Sequence, residues 1–260
     1  MFSSLVYYWH PDPNILCFGN IFCVTFYGFF LSLSYISSVF FIKYFLKSGF
    51  NHLFFINILA IFSIVGGRLG FLFFYNFQTI SENFKNILNL WNGGLSSHGS
   101  LLGIIVLSIL GSKIYGHNKL KILDISLVLS LLAGFFIRLG NYFNSEKIGL
   151  PTNGSWGVIF LNNSNHPFEP RHPSQLYESL ICFILFLIFC FQIKKKRNQG
   201  FVSAKILFFL FGFRLLNTCF FVESPHFVEI ILNFISAFLG AVLYVCLMNN
   251  NELGKSKIKS

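Results

Sequence analysis

The sequence predicts an all-α, polytopic integral membrane protein of seven transmembrane helices, with a periplasmic-side arm or cap between the fourth and fifth. Three observations carry that expectation. Of the 260 residues 54% are hydrophobic and only 11% charged, with 37 phenylalanines and a mean hydropathy of +0.66; a soluble domain carries about a quarter charged residues. The apolar residues fall into runs near the roughly 20 needed to cross a hydrocarbon core. Lysine and arginine gather on alternate connections. Residues 1–260 are read as a single membrane-embedded domain.

The first span is placed at Ile21–Tyr44. The 20 residues before it hold no Lys or Arg and no small-residue cleavage site after an apolar run, so it reads as an uncleaved anchor. The second, His52–Phe77, contains Gly66-Gly67-Arg68-Leu69-Gly70 and then Tyr75-Asn76. The third, Leu95–Tyr115, follows Trp91-Asn92-Gly93-Gly94 and opens with His98-Gly99-Ser100-Leu101-Leu102-Gly103. Trp91 suits an interfacial belt, and the glycines suit close helix packing better than a phosphate cradle, which would need a preceding strand.

The fourth span, Ile122–Phe143, runs into Arg138-Leu139-Gly140-Asn141-Tyr142-Phe143-Asn144-Ser145-Glu146-Lys147-Ile148-Gly149. An outer loop follows over 144–175, rich in turn formers at Pro151, Asn153-Gly154, Pro167 and Pro170. Loops of this length are uncommon, and either function or mobility accounts for them. The loop ends in Pro170-Arg171-His172-Pro173-Ser174-Gln175-Leu176-Tyr177-Glu178 as the fifth span, Leu176–Ile193, begins. Helix capping explains Pro173 and Ser174. It leaves Arg171, His172, Gln175 and Glu178 without a reason. The sixth and seventh spans are Phe201–Val222 and Phe227–Leu247, with a cytoplasmic tail at 248–260.

Charge orients this bundle. One set of connections holds Lys43, Lys47, Lys113, Lys119, Lys121, Lys194, Lys195, Lys196, Arg197, Lys255, Lys257 and Lys259; the other holds Lys85, Lys147 and Arg171. Twelve against three predicts an outer N-terminus and a cytoplasmic C-terminus. The formal charge of +10 then meets anionic lipid headgroups and calls for no nucleic acid. The six cysteines, Cys17, Cys23, Cys182, Cys190, Cys219 and Cys246, show no CxxC spacing and lie mostly in apolar segments. They are expected to be buried, inert thiols, with neither a disulfide framework nor a zinc site.

Four basic residues fall within spans: Arg68, Arg138, Lys205 and Arg214. A charge at a helix centre costs roughly 2.5–3.5 kcal/mol on insertion scales, which makes each a functional-site hypothesis. Arg138 is near enough to a span end for snorkelling to the headgroups to be the competing reading. Arg214 lies mid-span with no carboxylate one helical turn away, so it needs an anion from elsewhere. A lipid phosphate suits its planar fork, and Arg138 and Arg214 together would hold a phosphodiester headgroup. An imidazole ordinarily changes charge near neutral pH, so His98 is either a base or an ordinary hydrogen-bonded residue at a helix start. The seven histidines show no HxxH or HExxH spacing, so no metal is expected.

These residues resemble the prolipoprotein diacylglyceryl transferase family over nearly the whole chain. The matching motifs are Tyr27-Gly28; Gly66-Gly67-Arg68-Leu69-Gly70 with Phe74-Tyr75-Asn76; Trp91 to Gly94 with His98-Gly99 and Leu102-Gly103; Arg138 to Gly149; Arg171 to Glu178; and Phe213-Arg214. The resemblance implies functional positions at Tyr27, His98, Arg138, Asn141, Glu146, Gly149 and Arg214. It implies that a diacylglyceryl group moves from phosphatidylglycerol to the lipobox cysteine of a preprolipoprotein, in a bacterial cytoplasmic membrane and without metal or other cofactor. Arg138 and Arg214 would clamp phosphate, Asn141 and Glu146 would orient the headgroup or Arg138, and Gly149 would belong to the lipid site. His98, then Glu146, is the expected base, with Tyr27 orienting lipid. Departures from the family pattern fall at Ile137 and Ser100, both usually glycine, and after Arg214, where a glutamate, an arginine and Pro-Asp give way to Leu215-Leu216-Asn217-Thr218.

Two other readings compete. Another phospholipid-headgroup or isoprenoid-phosphate transferase would also want intramembrane arginines, but such enzymes recruit metal through acidic motifs, and Asp12 and Asp124 stand far apart. A seven-helix transporter accounts for the spans but not for the polar cluster, and no internal repeat is visible.

Overall fold

The computed structural model describes residues 5–19, 22–46, 51–77, 94–152, 154, 156–163, 168–194, 199–222 and 226–259. Among them are seven helices long and apolar enough to cross a membrane. These are α1 (Phe26–Phe40, continued by a π-helical stretch, Phe41–Leu46), α2 (His52–Tyr75), α3 (Ser97–Tyr115), α4 (Lys119–Phe143), α5 (Ser174–Lys194), α6 (Phe201–Phe221) and α7 (Phe227–Lys259). Four short strands accompany them: β1 (Leu5–Trp9), β2 (Asn14–Phe18), β3 (Phe22–Thr25) and β4 (Trp156–Phe160). Large apolar side chains such as Phe73, Leu102, Phe191, Phe220 and Phe238 point out of the protein, as lipid-facing surfaces require.

Five spans start and stop close to expectation, and the seventh starts at Phe227 as expected while its helix runs on to Lys259, through the segment expected as a tail. The first does not start where expected. Residues expected to open its helix instead form β3, which pairs antiparallel with β2 and sets Cys17 opposite Cys23. The two are joined as a disulfide, which corrects the expectation of inert thiols. Val24 and Thr25, β-branched, favour a strand, and the Thr25 hydroxyl then accepts from the Gly28 N–H at 3.1 Å to cap α1. Cys182 and Cys190 are buried thiols as expected, whereas Cys219 and Cys246 are exposed. Lys47, Lys85, Trp91-Asn92-Gly93, Asn153, Pro167, Lys195, Lys196 and Arg197 lie outside the described residues. So do Glu223-Ser224-Pro225 and the side chains of Lys255, Lys257 and Lys259.

The chain divides into two compact units. One comprises Met1–Ser38, Leu129–Ile188 and Phe209–Phe234. Here the described residues between α4 and α5 form an arm. Its strand β4 runs parallel to β1, from Leu5↔Trp156 to Trp9↔Phe160. Val158 and Phe160 bury themselves with Tyr142 at the end of α4, flanked by Trp9, Phe143, Ile148 and Leu176. The Trp9 indole lies tilted against the Tyr142 ring, 4.5 Å between centroids, and donates to the Tyr142 carbonyl at 3.0 Å.

Arg171 fastens the arm's far end. Only 2% exposed, it donates to the Gly149 carbonyl at 3.0 Å and pairs with Glu169 at 2.7 Å. Its backbone bonds Val158 in both directions at 3.0 Å. Arg171 in the polar cluster before α5 therefore serves the arm.

The other unit comprises Val39–Val128, Phe189–Phe208 and Ile235–Ser260. Its α2 and α3 touch backbone to backbone through the expected glycines. A Cβ on Gly66 would stand 2.6 Å from the Gly99 carbonyl oxygen, and one on Gly99 or Gly103 would collide with the Gly66 or Phe62 carbonyl. Ser100, where a glycine was expected, donates to the Ser63 carbonyl at 2.8 Å and so joins the same contact. His98 is buried in the first turn of α3, with Ser96 as N-cap. Asp124 of α4 caps the start of α6, accepting from the N–H groups of Gly200 and Ser203 at 2.8 and 2.7 Å and from the Ser203 hydroxyl at 2.6 Å.

Candidate active site

Tyr27, Arg138, Asn141, Glu146, Gly149 and Arg214 all belong to the first unit. Four helices supply the charges. Arg138 comes from the last turns of α4, Glu178 from the start of α5, Arg214 from the middle of α6 and Glu229 from the first turn of α7. Arg138 Nη2 lies 2.6 Å from Glu178 Oε2, and Arg214 Nε lies 3.6 Å from the same oxygen. The other carboxylate oxygen, Oε1, accepts from Asn217 Nδ2 at 2.9 Å. Arg214 Nη2 also reaches Glu229 Oε1 at 3.3 Å.

Sequence reading left Arg214 to find its anion in a lipid. The structure supplies two protein carboxylates instead, each from a different helix, which spacing along α6 cannot reveal. One carboxylate between two guanidiniums offsets half their charge and holds them close. Glu178 is 13% exposed and Arg214 8%, so the cluster is largely withdrawn from water. In such surroundings charge-assisted contacts are strong, and removing one member is costly. Arg138 makes no other hydrogen bond among the described residues, so the rest of its five-donor fork stays available.

The segment after α4 shapes the rest. Asn141 is buried, its carbonyl accepting from the Glu146 N–H at 2.9 Å, and Asn144 Nδ2 donates to Glu146 Oε1 at 3.2 Å. Ser145 and Lys147 both take left-handed backbone conformations, at φ 54° and 52°. For residues with a Cβ such geometry persists only where surroundings impose it. Here α5 imposes it. Gln175 donates to the Glu146 carbonyl, and the Ser174 hydroxyl donates to that of Lys147 at 2.8 Å.

Gly149 completes the hold. Its N–H donates to the His172 carbonyl at 2.9 Å, and a Cβ there would stand 2.7 Å from the carbonyl oxygens of both His172 and Phe221. Tyr27 of α1 packs on Gly140, where a Cβ would meet its ring at 2.9 Å, and stands within electrostatic reach of Glu146 and Arg138. Glu178, Glu229, Asn217 and Lys147 are members of this cluster to which sequence reading gave no role. Only Glu178 carried a signal, as the end of the motif that begins at Arg171. His98 lies in the other unit.

Seven bilayer-length helices and a buried cluster of paired guanidiniums define a multi-pass membrane protein whose polar cluster draws on four of them. Its family follows from comparison with known proteins. The model of the prolipoprotein diacylglyceryl transferase family matches residues 13–250, and the chain belongs to that family. A phosphatidylglycerol–prolipoprotein diacylglyceryl transferase of Chloroherpeton thalassium is 32% identical over 226 residues, covering 83% of this chain and 82% of that protein. Similar transferases of Buchnera aphidicola and Legionella pneumophila are 36% and 38% identical; the alignments cover 63% and 58% of this chain, and 66% and 57% of theirs. The chain is accordingly a membrane-embedded transferase of bacterial kind.

Proposed function

We propose that this chain transfers the diacylglyceryl group of phosphatidylglycerol to the thiol of a preprolipoprotein's lipobox cysteine. The observation that carries this reading is Arg138, anchored by one Nη2 to Glu178 at 2.6 Å beside Arg214 and with the rest of its fork unengaged among the described residues. A guanidinium held in place but not used up suits an oxyanion on which charge develops.

In the reaction, the cysteine sulfur attacks the glycerol C3 carbon of the diacylglyceryl group. A carbon–sulfur bond forms as the C3–O bond to phosphate breaks, its electron pair leaving with sn-glycerol 1-phosphate. The thiol proton passes to a base, with His98 the first choice and Glu146 the second. A free thiol has a pKa near ~8.5, so a base or a nearby cation raises the reactive thiolate fraction. Arg138 and Arg214 stabilise the leaving phosphate, Asn141 and Glu146 orient the headgroup, Gly149 lets the arm's backbone close on the lipid site, and Tyr27 orients lipid. The nucleophile arrives on the substrate, and two guanidiniums supply the neutralising charge.

The same reading takes residues 1–260 as one domain in the cytoplasmic membrane, with the N-terminus and the arm outside and the C-terminus inside. The distribution of basic residues supports that orientation. So does the Cys17–Cys23 disulfide, since disulfides persist on an oxidising face.

The test is purified protein in phosphatidylglycerol liposomes with a lipobox peptide. Mass spectrometry should find the peptide cysteine heavier by one diacylglyceryl group, with glycerol phosphate released in equal amount. Glycerol phosphate without modified peptide points to phospholipid processing and overturns the proposal. Neither product, beside an active control transferase, overturns it as well.

A further inference from the structure

Lys147 stands at the edge of the charge cluster and has no established task there. Its ammonium is within electrostatic reach of Arg138, Arg214, Glu178 and Glu229. Both arginines are already tied to carboxylates, whereas the Lys147 ammonium forms no hydrogen bond or ion pair among the described residues. Its side chain is accessible by surface area. Yet protein surrounds it closely enough that burial, and then the two guanidiniums, lower its pKa from the usual lysine value.

Its position is also enforced. Four polar contacts fix its stretch of backbone: Gln175 to the Glu146 carbonyl, Ser174 to the Lys147 carbonyl, Arg171 to the Gly149 carbonyl, and Gly149 to that of His172. Together they hold Lys147 in a left-handed conformation, at φ 52°, which a residue with a Cβ seldom adopts. A solvated lysine on a loop needs none of this.

The geometry points to Lys147 as a third phosphate-binding cation, which takes the headgroup oxyanion of the glycerophospholipid together with Arg138 and Arg214. The inference rests on reading this cluster as the phosphatidylglycerol site. An ammonium brings three donors and one charge that Glu178 and Glu229 leave unmatched, and it meets an anion without first breaking a protein ion pair. As C3–O cleavage turns a phosphodiester into a monoester, negative charge grows on the atoms that Lys147 would hold.

The experiment compares wild type, Lys147→Met and Lys147→Arg in liposomes of varied phosphatidylglycerol content with lipobox peptide. Losing one charge-assisted contact should lower kcat/KM for lipid roughly tenfold to a hundredfold in Lys147→Met. KM for peptide and the thermal midpoint should stay unchanged. Lys147→Arg should retain activity within about threefold, since charge and donors persist.

The pH profile separates binding from proton transfer. The protonated form binds phosphate, so the wild-type rate divided by that of Lys147→Arg should fall as pH rises through the lowered lysine pKa. That ratio cancels the titration of the peptide thiol. The charged groups facing Lys147 from α4 to α7 are Arg138, Glu178, Arg214 and Glu229, and Arg138 is in turn within electrostatic reach of Tyr27. A wild-type lipid KM in Lys147→Met overturns the inference while leaving the transferase reading intact. An inactive Lys147→Arg, with a wild-type rate that climbs with pH, makes Lys147 a base and overturns it too. Absence of lipidation by the wild type refutes the underlying reading instead.

Discussion

Glu178 holds two arginines with one carboxylate, Arg138 at 2.6 Å and Arg214 at 3.6 Å. Replacing it by glutamine takes from Arg138 its ion pair and leaves Arg214 with Glu229 alone. Breaking a buried pair from one side costs about 3–5 kcal/mol. Glu178→Gln should therefore lose stability of that order in chemical unfolding, together with lipid transfer; a variant as stable as the wild type would show that solvent screens the pair. Arg214→Lys keeps the charge but not the fork that reaches Glu178 and Glu229. Its transfer rate should fall by at least about tenfold. His98→Gln should lose activity that alkaline pH partly restores by ionising the peptide thiol, and a rate that stays flat with pH would remove His98 from the role of base. Arg138 and Arg214 were legible in sequence because a charge inside an apolar run is conspicuous. Their partners were not, because Glu178 and Glu229 come from other helices, and no local spacing encodes which carboxylate arrives.

The arm was legible only in outline at the scale of elements. Its proline and glycine content announced a long connection, but β4 is five residues pairing with five near the N-terminus. Such a remote parallel pair leaves no periodic signal. The glycines of α2 and α3 were legible as packing devices, because small residues at helical spacing have a direct packing consequence, but not that these two helices meet. Gly149 tests how tightly arm and helix ends are joined. A methyl there must displace two carbonyl oxygens at 2.7 Å, so Gly149→Ala should cost about 1–3 kcal/mol in unfolding and lower kcat by shifting Glu146 and Lys147. His172 gives the arm a pH dependence. Its Nδ1 lies 3.1 Å from the Tyr177 hydroxyl, its ring meets Trp156 and Phe221 edge-on, and burial lowers its pKa below 6.5. The unfolded chain then binds the proton more readily, so stability is complete above about pH 6.5 and declines as pH falls. His172→Gln should flatten that decline in thermal unfolding across pH 5–7.

Composition and charge distribution were enough to find seven spans in the whole molecule, because hydrocarbon thickness fixes their length and basic residues mark alternate connections. The hairpin before α1 was missed because Ile21 to Thr25 is apolar and merges with the helix in any hydropathy reading. Orientation is testable with single cysteines in a background where the four free ones are serine. Asn118→Cys should react with an impermeant maleimide only after permeabilisation, and Glu169→Cys in intact cells; the reverse pattern would invert the topology. The pairing of β1 with β4 bears on the order of events during synthesis. Leu5–Trp9 is made first, but its partner, Trp156–Phe160, follows about 150 residues later. At ribosomal rates that is a wait of ~8–30 s, during which four spans insert and the first strand has nothing to pair with. The arm, and with it the fixed segment around Lys147, therefore cannot form until β4 and the start of α5 have been made. A nascent chain stalled before β4 would already hold its first four helices in the bilayer and yet have no assembled site, which keeps the enzyme inert until its own translation is well past halfway.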